Sequence, residues 1–310
     1  YIEHAVIERE QSSVAAFTPS GRVSIPAATL SALMLGPGTR ITHAALTVLA
    51  ASGAVVLWVG EDGLRFYSAG RGKTAHSRWL GRQAALWADP AGHLRVVRRM
   101  YEIRFGHALD EALSLHQIRG MEGARVRHAY RTQSETAGVA WAGRRYDRGD
   151  WSAADPVNRA LSAANAALYA VCSAGILSLG CSAALGFIHT GKPLSFVYDV
   201  ADLYKLETSV PAAFDAAREG PQGVEGRART MLRDRLREVS LLDRMTQDLA
   251  TLLHGDGIRL PDDPTDEQDP TLWDVGGEVE GGISHDSDDP GGGSSCPPGS
   301  PVALASCSVS

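Results

Sequence analysis

The sequence predicts an α+β protein. A β-sandwich-like N-terminal domain, residues 1–73, precedes an all-helical domain, residues 74–254, and a tail over residues 255–310. Three observations lead to this reading. Short runs rich in β-branched residues fill the first part of the chain. Apolar residues then recur at three- and four-residue spacing. After His254, Pro and Gly clusters dominate and little apolar surface remains to offset the entropy of ordering.

In chain order, strands are expected at 4–8, 14–17, 22–25, 54–59 and 64–68. Asp62-Gly63 separates the last two, and both turn positions tolerate positive φ, as a hairpin requires. Helical spacing at 27–35, closed by Gly36-Pro37-Gly38, and at 43–51 interrupts the strands. Helices then follow at 77–87, 94–104, 115–136, 156–179 and 230–254. Asp155-Pro156 marks the start of the fourth of these, because Asp accepts from orphan amides and Pro lacks the N–H that would be unsatisfied there. Residues 137–151 read as a loop carrying Trp141, Arg144, Arg145, Tyr146, Arg148 and Trp151. In the tail, Leu272-Trp273-Asp274-Val275 is apolar enough to be a short anchor.

The 30 Lys+Arg and 36 Asp+Glu give a net charge of −6, which at first disfavours nucleic acid. The charge is unevenly spread. From Gly255 onward 12 acidic residues face Arg259 alone, a net of −11, whereas residues 1–254 hold 29 basic and 24 acidic residues, a net of +5. Only Lys73, Lys192 and Lys205 of those bases are lysine, and arginine suits bidentate phosphate contact. The most apolar region, 160–188, is interrupted by Asn165, Ser173, Ser178 and glycines, so a membrane span is not expected. Cys172, Cys181, Cys296 and Cys307 lack C-x-x-C spacing and read as buried hydrophobes and incidental tail thiols. No signal peptide opens the chain, so a reducing cytoplasm is expected; the first residue is Tyr1 rather than Met, so residues are expected to precede it.

Nucleotide and hydrolase motifs are absent. Gly72-Lys73-Thr74 fails as a P-loop because Tyr67 stands where the earlier glycine is required. What remains is a set of acids and one histidine. Glu122 sits between Gly120 and Gly123 in an arginine-rich helical stretch, where glycine permits close approach and arginine neutralises phosphate. The plainer alternative is an exposed Glu paired with a neighbouring Arg on the helix face. His189 ends an apolar run before Gly191-Lys192-Pro193. Asp199 and Asp202 are three apart, hence on nearly one helix face beside Phe196 and Val200, which points to a cation partner. One imidazole with two or three carboxylates suits Mg²⁺ or Mn²⁺. The alternative, a capping Asp, a surface Asp and an unrelated histidine, stays open at this stage.

The strings HQIRGMEGARVR (116–127), GRRYD (143–147), GFIHTGKPLSFVYDVADLYK (186–205) and MLGPGTRITHAA (34–45) resemble the CRISPR-associated spacer integrase, the catalytic subunit of CRISPR adaptation, and its subtype I-E branch in particular. The likeness runs from Tyr1 to about His254. It implies a metal-dependent DNA integrase and endonuclease with a β-sandwich and an all-α catalytic domain. Its metal ligands match Glu122, His189 and Asp202, with Asp199 a further catalytic acid. It also implies a homodimer, two copies of which are bridged by a small ferredoxin-like partner around a duplex with splayed 3′ ends. That duplex is inserted at the leader-repeat of a CRISPR array. DNA-contacting positions matched by the resemblance are Tyr1 as an end wedge, Tyr146, Trp151, Lys192, Tyr198 and Lys205 at a motif-reading pocket, and Arg229 and Arg233 as backbone clamps. Gly226 stands where a further basic residue is expected, while Arg218 and Arg244 read as solvated surface. Two other readings use the same residues: a metal-dependent nuclease for branched DNA, and a non-catalytic DNA-binding scaffold.

Overall fold

The computed structural model describes residues 1–30, 32–60, 66–70, 77–144, 155–255, 272–274 and 277–279. The chain divides into two compact units, Tyr1–Leu260 and Pro261–Ser310.

The first unit begins with two sheets. Strands β1 (Val6–Glu10), β2 (Ser13–Thr18), β3 (Gly21–Ile25) and β5 (Arg40–Ile41) form one sheet in the order β3-β2-β1-β5, and β4 (Ala32–Leu35), β6 (Val55–Val59) and β7 (Phe66–Ala69) form the other in the order β4-β6-β7. Ile7, Val14 and Ala16 from the first sheet pack with Leu33, Leu35 and Val56 from the second and with Ala45 and Leu49 of helix α1 (His43–Ala51). This is the expected β-sandwich-like arrangement, with sheet faces buried against one another. Strands β6 and β7 are antiparallel, although the Asp62-Gly63 turn proposed between them lies outside the described residues.

The helix expected at 27–35 is not formed. A single 3₁₀ turn, Ala27–Thr29, is followed by β4, which pairs in parallel with β6 from Ala32↔Val55 to Leu35↔Trp58. Leu33 and Leu35 are buried and Ala32 and Met34 only half-buried, the period of two that a strand imposes. Long-range pairing with a strand about twenty residues on outranks local helical spacing here.

The helical part comprises α2 (Arg78–Ala88), α3 (Pro90–Phe105), α4 (Leu115–Ala137), α5 (Pro156–Ser178), α6 (Ser195–Tyr204), α7 (Ser209–Arg218), α8 (Val224–Glu238) and α9 (Leu241–His254). Caps set their ends. Asp89 accepts from Ala91 and Gly92 ahead of α3, and Ser114 and Gln117 form a reciprocal capping box on α4. Asp155 accepts from Asn158 at 2.9 Å with Pro156 at the first helical position of α5, as the sequence predicts.

The single helix expected at 230–254 is two. Buried Val224, Ala228 and Leu232 line α8, and buried Leu241, Met245 and Leu249 line α9. At about 100° per residue, nine positions place Leu241 about half a turn from Leu232, so one straight helix would expose one of the two stripes. The chain breaks at Ser240, whose φ is +46°.

Helix α5 is the axis of the helical core. It packs on α6, α7, α8 and α9, and its Ala170 and Ala174 meet Val55, Leu57 and Val59 of β6. By length and composition it is apolar enough to cross a membrane, contrary to the expectation from its interrupting polar residues, but 67% of its apolar window is buried inside the protein. The second unit contains an antiparallel pair, β8 (Leu272–Asp274) with β9 (Gly277–Val279), and the first three residues of the Leu272-Trp273-Asp274-Val275 island form β8.

Candidate functional site

The site begins at the loop between α5 and α6. Helix α2 holds its first half: Gln83 Nε2 donates to the carbonyls of Ser182 (3.0 Å) and Leu185 (3.1 Å), and its Oε1 accepts from Ser182 N at 2.8 Å. Trp87 Nε1 donates to the Gly186 carbonyl at 3.1 Å. Gly186 is required for space, because a Cβ there would lie 2.3 Å from the His189 carbonyl and 2.7 Å from Ser195.

Asp199, on α6, holds the second half and is fully buried. Its Oδ2 accepts from the amides of Phe187 (2.6 Å) and Ile188 (3.0 Å), and its Oδ1 accepts from the His189 amide (2.8 Å) and from His189 Nδ1 (2.7 Å). Four N–H groups therefore serve this carboxylate in place of the cation that the sequence led us to expect. Asp199 thereby fixes both the loop and the His189 ring. Because the carboxylate accepts, Nδ1 of His189 carries the hydrogen and Nε2 is left as the electron-pair donor. The hydrogen bond to Asp199 raises the imidazole pKa above its ordinary value against the opposing effect of burial.

Asp202 lies one turn further along α6 and Glu122 faces it from α4. Arg104 of α3 stands between them, with Nη1 3.6 Å from Glu122 Oε1 and Nη2 3.4 Å from Asp202 Oδ2. Each acid also has a partner of its own. Arg125 donates to both Glu122 oxygens, at 2.8 and 3.0 Å, and Lys205 Nζ donates to Asp202 Oδ1 at 2.5 Å. The plainer alternative for Glu122 is thus half right: it is paired with Arg three residues on, but its side chain is only 14% exposed. Burial pulls the Lys205 pKa down, yet Asp202 and Tyr169 outweigh it and the net shift is upward.

The donor chemistry of Glu122, His189 and Asp202, two carboxylates and one imidazole, fits a hard divalent cation. As they stand, no three His, Cys, Asp or Glu side chains among the described residues are gathered closely enough to hold one ion. The carboxylates are instead gathered on arginine and lysine.

Aromatic rings border this cluster. Tyr198 lies edge-on to both His189 (5.9 Å) and Tyr169 (5.1 Å), and Lys205 Nζ sits 4.8 Å over the Tyr169 ring. Lys192 is exposed on the loop before α6, where its backbone pairs with Ser195. Tyr1, Arg229 and Arg233 are brought together elsewhere, lining a cavity of about 690 Å³ with Gly226 and Arg237, and the Arg229 guanidinium lies 5.8 Å from the Tyr1 ring centre. Tyr146 and Trp151 lie outside the described residues.

Sequence reasoning missed Arg104 and Tyr169. The signal for Arg104 was present: it continues the buried stripe Val97, Met100, Tyr101, and a charged residue on an apolar stripe needs a partner. Tyr169 carried no comparable mark in the alanine-rich α5. Arg125 was visible as a base near Glu122, but its bidentate pairing was not.

Residues 100–210 match the family model described as "CRISPR associated protein Cas1". The chain is 54% identical over 303 residues to "CRISPR-associated endonuclease Cas1 2" of Thermus thermophilus, covering 96% of this chain and 93% of that protein. It is 43% identical over 247 residues to "CRISPR-associated endonuclease Cas1" of Escherichia coli K12, covering 80% and 81%. Its fold superposes on the crystal structure of a TtCas1–DNA complex with a TM-score of 0.79 at 53% identity, over 92% of this chain and 99% of that one. The buried Asp199–His189 pair, the facing acids and this likeness over nearly the whole length lead to one conclusion: the chain belongs to the Cas1 family of CRISPR-associated proteins.

Proposed function

We propose that the chain is the catalytic subunit of a Mg²⁺- or Mn²⁺-dependent DNA integrase, which joins the 3′-hydroxyl of a short duplex to a phosphodiester of a CRISPR array. The observation that carries this reading is the pairing of Glu122 and Asp202 across the shared Arg104, with Arg125 and Lys205 beside them, together with the His189 ring fixed through Nδ1 by Asp199 on the same helix as Asp202. Glu122, His189 and Asp202 would hold the metal, which when bound supplies Lewis-acid stabilisation of charge at the phosphate. The attacking oxygen belongs to DNA: a new P–O bond forms to the 3′-oxygen and the bond to the array's own 3′-oxygen breaks. No protein nucleophile is needed. The protein positions and neutralises. Asp199 fixes the His189 ring, while Lys192, Tyr198 and Lys205 offer charge and a ring face to the DNA beside it. Tyr1, Arg229 and Arg233 would engage the duplex at the cavity they line, and Tyr146 and Trp151 belong to the same reading through the family resemblance.

DNA binding is supported by the +5 charge of residues 1–254 and by the relative solved with DNA. The homodimer and the bridging ferredoxin-like partner follow from the family resemblance. The test is a joining assay with short duplex DNA, a CRISPR array plasmid, Mn²⁺ and the small partner. Joined product that disappears in Glu122→Gln and Asp202→Asn is the expected result. Metal-dependent cutting without joining would favour the branched-DNA nuclease, and joining unchanged in Asp202→Ala would favour the scaffold and sink the metal role.

A further inference from the structure

Arg104 is a charged side chain in an apolar helix stripe, and only 5% of it is exposed. Its guanidinium lies over the Tyr101 ring at 5.3 Å. One terminal nitrogen reaches Glu122 at 3.6 Å, and the other reaches Asp202 at 3.4 Å and the Asp199 carbonyl at 3.5 Å. These contacts are long beside the 2.7–2.9 Å of a well-made charge-assisted bond. Its Nε is buried with no hydrogen-bond partner. Arg125 and Lys205, by contrast, make short contacts of 2.5 to 3.0 Å, each to its own acid. Among the described residues, Arg104 is thus the one cation shared by both carboxylates, and its grip on each is weak.

We propose that Arg104 is an internal counter-cation that gathers the Glu122 and Asp202 carboxylates and competes with a divalent ion for them. The physical basis is simple. Two carboxylates facing each other repel, and a shared guanidinium offsets that repulsion. The same fixed positive charge repels any second cation approaching the pair, across a poorly solvated space where charges are weakly screened. The residue therefore lowers metal affinity while keeping the ligands in place. A purely structural tether joining α3 to α4 and α6 would explain the burial equally well, but it would have no effect on metal affinity beyond its effect on folding.

The inference rests on the metal reading above, and the experiment separates the two. The full-length chain, Arg104→Met, Arg104→Gln and Arg104→Lys are titrated with Mn²⁺ alone. Affinity is read from the free-ion electron paramagnetic resonance signal and, independently, from the Mn²⁺-induced rise in Tm; Asp202→Asn serves as control. The neutral variants are expected to melt lower without metal, to bind Mn²⁺ on the order of tenfold more tightly, and to gain more Tm on binding. Arg104→Lys keeps the charge and should stay near the parent, and Arg104→Gln serves if the Met variant does not fold. Parent-like or weaker Mn²⁺ binding in the neutral variants, with binding lost in Asp202→Asn, overturns the inference alone. Parent Mn²⁺ binding that is absent or indifferent to Asp202→Asn overturns both.

Discussion

The Nδ1 of His189 lies 2.7 Å from Oδ1 of Asp199, and the same carboxylate accepts the backbone amides of residues 187, 188 and 189. One buried group thus sets both the course of the loop and the direction of the imidazole. Asp199→Asn replaces an acceptor with a donor that faces N–H groups, so at least one amide loses its partner. The expected loss is about 1–3 kcal/mol of stability by thermal denaturation, with Mn²⁺ affinity falling about 10–100-fold. His189→Ala removes a side chain that is 43% exposed; it should change Tm far less than Asp199→Asn and still abolish joining. Equal destabilisation by the two variants would contradict this division of roles.

Gly186 tests the same loop sterically. A methyl group there collides with backbone at His189 and Ser195, which are themselves tied to Asp199 and Lys192. Gly186→Ala is expected to cost about 1–3 kcal/mol and to reduce joining through misplacement of His189. Wild-type Tm and activity together would show that the loop yields freely.

The pair Arg159–Glu225 links α5 to α8, with Nε donating to Oε1 at 2.6 Å. Burial alone would raise the Glu225 pKa, but the Arg159 hydrogen bond and charge lower it below the ordinary 4.5. A lowered carboxyl pKa stabilises the folded state above the unfolded value, and that contribution disappears as pH falls through the lowered one. Glu225→Gln should therefore be less stable than the parent near neutrality, and the gap should narrow below about pH 4.5. Tm measured against pH for both proteins checks this; a constant gap down to low pH would contradict it.

Cys172 and Cys181 are buried, and burial pushes both thiols up to about 12. The thiolate is the reactive form. Peptide mapping after iodoacetamide treatment at pH 8 should find both unmodified in native protein and both modified after denaturation. Rapid native labelling of Cys172 would mean that the α5 core opens readily.

Much of the molecule was legible from spacing, charge and local chemistry. The succession of strands then helices, the Asp155-Pro156 start of α5, and the split between a basic body and an acidic tail all depend on residues close together in the chain. Local context also singled out Glu122, His189, Asp199 and Asp202 as candidates, while the ligand set Glu122, His189 and Asp202 came from the family resemblance. Other outcomes depended on partners far away. Residues 32–35 became a strand because β6 offers a parallel partner, and 230–254 broke because its two apolar stripes face opposite ways. Asp199 took amides rather than a cation because Gln83 and Trp87, about a hundred positions earlier, hold the loop over it. Arg104 reached Glu122 and Asp202 only when α3, α4 and α6 packed together. Local periodicity decides which element a segment favours, but which buried charge meets which is decided by packing between helices far apart in sequence.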